Sequence, residues 1–237
     1  MRSTSQGAGN ITSLNGLVLY LDAANRNSYP GSGNTWFDMS GNYNHFTLYN
    51  SSTYTGTALR FNTAGGNQYA ECINATFGNF GTGSFTIEQI YNVSSSQTYG
   101  PILMKKRTLT NNTTLTDAPG WAFNPGGIFR IAPDTATGID FNSTAYYINV
   151  HMAHVIEKNG TSITGSVYVN GVINSTIQST FGGNNSVDNA LNARLMFSYG
   201  ESQYRTGSLY VMRAYNTALS ADDIFQNFTV LSRRFNL

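Results

Sequence analysis

Four glutamates, eight aspartates and three histidines are the residues of this chain best suited to acid–base or metal chemistry. Their spacing argues against both. Cleavage of a glycosidic bond needs two carboxylates about 5–10 Å apart. On a strand, same-face carboxylates stand at i, i+2 or i, i+4. Glu71, Glu88, Glu157 and Glu201 are isolated from one another and from the aspartates at that spacing. Asp134 and Asp140 meet only through an unusual loop. His151 and His154 are i, i+3 in a predicted strand, so they face opposite sides and make a poor metal pair. His154 reads as a satisfied structural histidine at the start of its strand. No Gly-x-Ser-x-Gly elbow or phosphate-binding loop precedes a helix. The chain is therefore expected not to be an enzyme.

Binding chemistry has more to work with. Sugars are held by aromatic faces and planar polar groups on loops, and the chain has 15 Tyr. The segment "SYGESQYRTG" places Tyr199, Glu201, Gln203, Tyr204 and Arg205 between two predicted strands. Trp121, after Pro119-Gly120, is a second candidate. Against these stands the alternative that Trp121 is core and the Tyr-rich loop meets a neighbouring subunit. Asp22, Asp38 and Asn42 offer oxygens for a calcium ion. The competing reading is Asx-turn chemistry, in which the same oxygens accept backbone N–H bonds.

The elements that position these residues are mostly strands. "GLVLYLDA", "HFTLYN", "ALRFN", "QYAECI", "SFTIEQIYNV", "PILMKK", "GWAFN", "GIFRIA", "YINVHMAHVIEK", "SITGSVYVNG", "VINSTIQ", "ARLMFSYG" and "GSLYVMRAYN" carry period-two patterning or short apolar runs between Gly, Asn, Ser and Pro clusters. That spacing predicts an all-β antiparallel sandwich or jelly roll, and the absence of a βαβ rhythm argues against a parallel sheet. Asn170-Gly171 predicts a type I′ hairpin turn. Ser220-Ala-Asp-Asp223 predicts a short C-terminal helix capped by Ser220, with Ile224, Phe225 and Phe228 as its apolar face and "LSRRFNL" returning as extended chain. Residues 1–13 read as a flexible polar arm, and 14–237 as one domain.

Composition narrows the setting. Only 11% of the 237 residues are charged and the net charge is +1, so no field of one sign attracts a nucleic-acid backbone. No apolar run spans a bilayer, and the N-terminus lacks the apolar core of a signal peptide. The lone Cys72 is expected as a buried thiol in a strand. Eleven Asn-x-Ser/Thr sequons occur, including Asn74, Asn92 and Asn227, and in so Asn-rich a chain they read chiefly as solvating side chains.

Several segments together carry a family likeness. The opening corner has Tyr20, Asp22, Tyr29-Pro30, Gly33, Trp36, Asp38, Ser40-Gly41-Asn42 and Asn44. "GSFTIE" and "HVIEKNGTSITGSVYVNGV" follow, and "GSLYVMRAYNTALSADDIFQNF" closes the chain. With these residues the sequence resembles the laminin-G-like, concanavalin A-like lectin/glucanase superfamily, in the form found in phage and other viral structural proteins. The resemblance covers about residues 14–237 and is least specific from Tyr91 to Asp140. It implies a two-sheet antiparallel jelly roll with one short helix, and Trp36 plugging the end of the sandwich. Glu88 falls where a hydrolytic relative would begin a Glu-x-Asp-x-x-Glu set, but Gln89-Ile-Tyr-Asn92 supplies no partner. The expected role is a virion structural or surface protein: a capsid decoration, fibre or appendage subunit. It would form homo-oligomers, meet other virion proteins and contact host-surface glycans at the virion surface or outside the cell. The alternatives are a free carbohydrate-binding or adhesion module and, third, a glycoside hydrolase.

Overall fold

The computed structural model describes residues 14–62, 66–94, 101–105, 119–124, 128–133, 139–142, 149–181, 185–198 and 203–237. The predicted arm at 1–13 lies outside them. The strands run in chain order β1 (Leu17–Asp22), β2 (Thr35–Trp36), β3 (Phe46–Tyr49), β4 (Thr53–Tyr54), β5 (Leu59–Phe61) and β6 (Tyr69–Cys72). Next come β7 (Phe85–Val93), β8 (Leu103–Lys105), β9 (Gly120–Asn124), β10 (Ile128–Ala132), β11 (Ile139–Asn142) and β12 (Val150–Asn159). The last are β13 (Ser162–Val169), β14 (Val172–Thr180), β15 (Arg194–Leu195), β16 (Phe197–Ser198), β17 (Gln203–Tyr204) and β18 (Gly207–Tyr215), followed by helix α1 (Ala221–Phe235).

Two large antiparallel sheets result, with a separate two-stranded pair, β16-β17, beside them. The first has the order β14-β13-β12-β7-β18-β5-β4, with β1 also paired to β18. The second has the order β11-β10-β9-β8-β15-β6-β3-β2. Strand β7 shows why they stack. Phe85, Ile87 and Tyr91 point into the core shared by both sheets, whereas Glu88 and Ile90 point the other way, toward α1. Trp36, Phe46, Trp121 and Phe129 fill the core from the second sheet, all fully buried. Cys72 is buried among them, and burial pushes its thiol up to about 12. The expected all-β, two-sheet antiparallel sandwich is thus the observed fold. The prediction missed the short strands β2, β4, β11 and β17. It also drew "ARLMFSYG" as one strand, but Met196 adopts φ 63° and splits it into β15 and β16.

The hairpin between β13 and β14 forms as predicted. Asn170 (φ 49°) and Gly171 (φ 78°) supply the two left-handed positions, and Val169 faces Val172. Gly171 has a second constraint: a Cβ there would stand 2.8 Å from a ring carbon of Phe228 on α1. Gly171→Ala is therefore expected to cost about 2 kcal/mol, from left-handed backbone strain plus overpacking. A fall in the urea midpoint checks this; an unchanged midpoint would show that the turn and helix yield freely.

The helix departs from expectation. Its capping box is present, with the Ser220 hydroxyl accepting from Asp223 N–H and the Asp223 carboxylate accepting from Ser220 N–H. Yet it continues for 15 residues, through the segment predicted as extended, to a left-handed C-cap at Asn236. Tertiary burial explains the extension. Ile224, Asn227 and Leu231, at i, i+3 and i+7, lie against the outer face of the first sheet, while Phe225 remains exposed. Each apolar anchor contributes about 2 kcal/mol. Arg234, in the last turn, pairs with Asp22 of β1.

Candidate functional site

The opening corner is built from two aspartates whose acceptor sites are taken by protein donors. Asp38 accepts Tyr20 N–H (2.8 Å) and Ser40 N–H (2.9 Å) on Oδ1, and the Ser40 hydroxyl (2.8 Å) and Asn44 N–H (2.9 Å) on Oδ2. Asp22 accepts from Ala24 N–H, from the Tyr20 hydroxyl and from both terminal nitrogens of Arg234. Asn42 donates to the Leu17 carbonyl and to Ser40 Oγ. A carboxylate offers about four acceptor sites, and each aspartate uses all of them on the protein. Among the described residues no group of three or more His, Cys, Asp or Glu is arranged to hold a metal. The corner is held by Asx-turn chemistry, and Trp36 beside it is fully buried.

Glu88 is fully buried beneath α1. Its Oε1 meets His151 Nε2 at 2.9 Å, and its Oε2 meets Arg213 Nη1 at 3.2 Å and Asn227 Nδ2 at 3.3 Å. Burial raises its carboxyl, but the His151 bond and the Arg213 charge outweigh this and hold it below the usual range. Arg213 also lies over the Tyr20 ring at 4.8 Å. Glu88 is thus an anchor for the helix. His154 sits mid-strand on the opposite, inner face, between Phe129 (5.0 Å) and Phe123 (4.6 Å). The opposite-faces reading of the two histidines was correct. The satisfied reading of His154 was not, since both of its ring nitrogens are buried without a hydrogen-bond partner among the described residues. Asn227, one of the sequons, is likewise fully buried.

The outer face of the second sheet and the β16-β17 pair beside it bring aromatic and polar side chains together. In β3 and β6 the outward phase gives Thr47, Tyr49, Tyr69 and Glu71, because Phe46, Leu48, Ala70 and Cys72 take the core phase. Tyr49 and Tyr69 are cross-strand partners and stack at 4.6 Å with planes 7° apart. Tyr69 continues to Phe197 (5.1 Å) and Tyr204 (6.1 Å), which stack on each other at 4.4 Å. Arg194 of β15 lies over Phe197 at 4.8 Å and over Tyr69 at 5.4 Å. Its Nε bonds Glu71 at 2.5 Å, and Asn192 Nδ2 donates to the other Glu71 oxygen at 2.7 Å. Burial raises the Tyr69 hydroxyl above its ordinary value, so it stays a neutral donor through the physiological range. Tyr49, at the end of this ladder, is 36% exposed.

The sequence candidates are divided by this arrangement. Tyr204 joins the ladder. Gln203 pairs with Ser198 through β17. Tyr199 and Glu201 lie outside the described residues. Two candidates are corrected. Trp121 is sealed in the core with its indole N–H on the Gly78 carbonyl (2.9 Å), and Arg205 is 1% exposed. Both side chains fill the interior and present no face to a ligand. Tyr49, Tyr69, Glu71, Asn192, Arg194 and Phe197 were missed. The available signal was the polar phase of the strands "FTLY" and "YAEC", where tyrosines stand at positions that alternation points outward.

No protein-family model matches the chain, and no curated protein does. Solved structures do. A mutant of Trypanosoma rangeli sialidase displaying trans-sialidase activity is 19% identical, with a TM-score of 0.61 over 93% of this chain and 33% of that one. The Trypanosoma rangeli enzyme bound to 2,3-difluorosialic acid as a covalent intermediate is also 19% identical, with a TM-score of 0.62 over 99% of this chain and 35% of that one. The binding domain of Paraclostridial mosquitocidal protein 1 is 15% identical, with a TM-score of 0.58 over 90% of this chain and 52% of that one. The chain therefore spans about a third of the sialidases and half of the toxin domain, and the likeness establishes the fold. It also overturns one expectation. The sequence reading excluded an enzyme, yet the matched chains include sialidases, so that exclusion is withdrawn; a fold match at this identity leaves the enzymatic status of this chain open.

Proposed function

We propose that this chain is a glycan-binding β-sandwich module, with the ladder Tyr49–Tyr69–Phe197–Tyr204 and its Glu71–Asn192–Arg194 cluster as the binding face. The observation that carries the reading is the joining of stacked aromatic rings to a planar, hydrogen-bonded polar set, with Tyr49 exposed, Tyr69 and Tyr204 half-buried and Phe197 buried as their support. A sugar ring presents an apolar C–H face and a rim of hydroxyls, and this face offers partners for both. The matched structures include a sialidase in complex with sialic acid, which supports a saccharide as the class of ligand. The setting carried forward is a virion surface or other extracellular location, in a homo-oligomer among other virion proteins. Its support is the ion-poor, Asn- and Tyr-rich composition and the resemblance to viral relatives. No helix among the described residues is long and apolar enough to cross a membrane.

A glycan array tests the proposal. The wild-type protein is expected to retain a defined subset of glycans, and Tyr49→Ala to weaken that binding roughly ten-fold, the loss of one aromatic contact. An empty array, or retention unchanged in Tyr49→Ala, would overturn it.

A further inference from the structure

We infer that the first sheet carries a second, separate binding subsite, which takes the anionic group of an acidic saccharide on Arg60. The strand register assembles it. Ser208 of β18 stands opposite Asn92 of β7 on one side and Arg60 of β5 on the other, and Arg60 faces Thr53 of β4. The row borders a groove of about 500 Å³ lined by Arg60, Thr55, Asn92, Ser94, Thr206 and Ser208. Among the described residues no carboxylate lines it.

Charge suits this groove to an anion. Arg130, Arg194, Arg213 and Arg234 are each paired with an acid, whereas Arg26, Arg60 and Arg233 have no ion pair among the described residues, and of these three it is Arg60 that lines the groove. Arg60 is exposed and has no ion-pair partner among the described residues. An unpaired guanidinium presents a fork of donors that matches a carboxylate or a sulfate bidentately. Neighbouring strands lie about 4.8 Å apart, so Arg60 and Asn92 are separated by roughly 10 Å across Ser208. That span suits one pyranose ring with its charged substituent at Arg60 and its hydroxyls over Ser208 and Asn92. Beside the groove β18 bulges between Leu209 and Val211, a device that re-aims side chains next to sites. The aromatic ladder belongs to the second sheet and the β16-β17 pair, and none of its residues lines this groove.

Titration calorimetry and ligand-detected NMR at low ionic strength test the inference. The probes are the methyl α-glycoside of N-acetylneuraminic acid, galactose 6-sulfate and neutral galactose. At least one acidic probe is expected to bind with a Kd of about 1 mM, more tightly than galactose. Arg60→Gln is expected to weaken it roughly ten-fold, and Arg60→Lys less, because the charge survives without the fork. Tyr49→Ala is expected to leave this signal in place even where it abolishes binding at the ladder. Binding of the sialoside alone would identify the carboxylate as the recognised group; binding of the sulfated sugar alone would identify sulfate. Three results would overturn the inference: no preference for either acidic probe over galactose, full binding in Arg60→Gln, or loss of the acidic signal in Tyr49→Ala alone. Arg60 is exposed, so an unchanged urea midpoint in Arg60→Gln separates lost binding from lost folding.

Discussion

Replacing Glu88 with alanine is expected to cost about 3–5 kcal/mol of stability, the scale of breaking a buried ion pair from one side. Glu88 and Arg213 are both fully buried, and Glu88 also bonds His151 and Asn227. Removing the carboxylate strands the Arg213 guanidinium, whose Nε and Nη2 already lack hydrogen-bond partners among the described residues. It also removes one of the bonds that tie Asn227 of the helix to the sheet, while that to the Tyr215 hydroxyl remains. Glu88→Gln keeps the shape and loses the charge, so it should fall between the wild type and alanine. The double variant Glu88→Leu/Arg213→Met removes both charges and should recover much of the loss, because replacing a whole buried pair is far cheaper than orphaning one member. Urea midpoints with unchanged m-values are the measurement. A loss below about 1 kcal/mol in Glu88→Ala would refute the anchoring role. The pH sign follows from the depressed carboxyl. The unfolded chain binds the proton first, so Glu88 contributes in full above the ordinary carboxylate range, and its contribution fades as pH falls toward the lowered folded value.

The second large effect comes from His154. Burial alone drives its imidazole down to about 3. Between the unfolded value near 6.5 and that folded value, the unfolded chain holds one more proton than the folded one. Stability must then rise with pH across this window, and fall on acidification by about 1.4 kcal/mol per pH unit from this residue alone. His154→Leu removes the titrating group and two unpartnered nitrogens while keeping an apolar body between Phe123 and Phe129. Its pH–stability curve between pH 6.5 and 4.5 is expected to be flatter than the wild type by one proton. At pH 7 the variant is expected to be at least as stable, because a buried unpartnered polar group costs about 1–3 kcal/mol. Parallel curves for the two proteins would show that His154 is protonated or partnered in the fold.

Both residues sit on the central strands, and they explain why the same alternation yields such different outcomes. His151 and His154 differ by three positions, so one joins the ionic layer under α1 and the other enters the apolar core. The sequence placed them on opposite faces. It did not say which face was covered by a helix, because the length of α1 depends on what it packs against. Propensity after Phe228 is weak, and burial of Leu231 with Ile90, Val211 and Tyr20, together with the Arg234–Asp22 pair, carries the helix onward.

Local rules were enough for the strand phases, the Asn170-Gly171 turn, the Ser220 cap and the Asx geometry of Asp38. Each is decided by a few residues adjacent in the chain, through side-chain period, positive φ or short-range hydrogen bonds. The binding faces were not legible in this way. The pair Tyr49 and Tyr69 and the pair Arg194 and Phe197 come from parts of the chain more than a hundred positions apart, and Asn92, Ser208 and Arg60 are likewise joined only by register. Strand order is set by the burial of whole sheets rather than by any local signal. The sequence by itself therefore determined the alternating phase along most strands, and only the tertiary structure decided which faces stayed exposed and which side chains would meet.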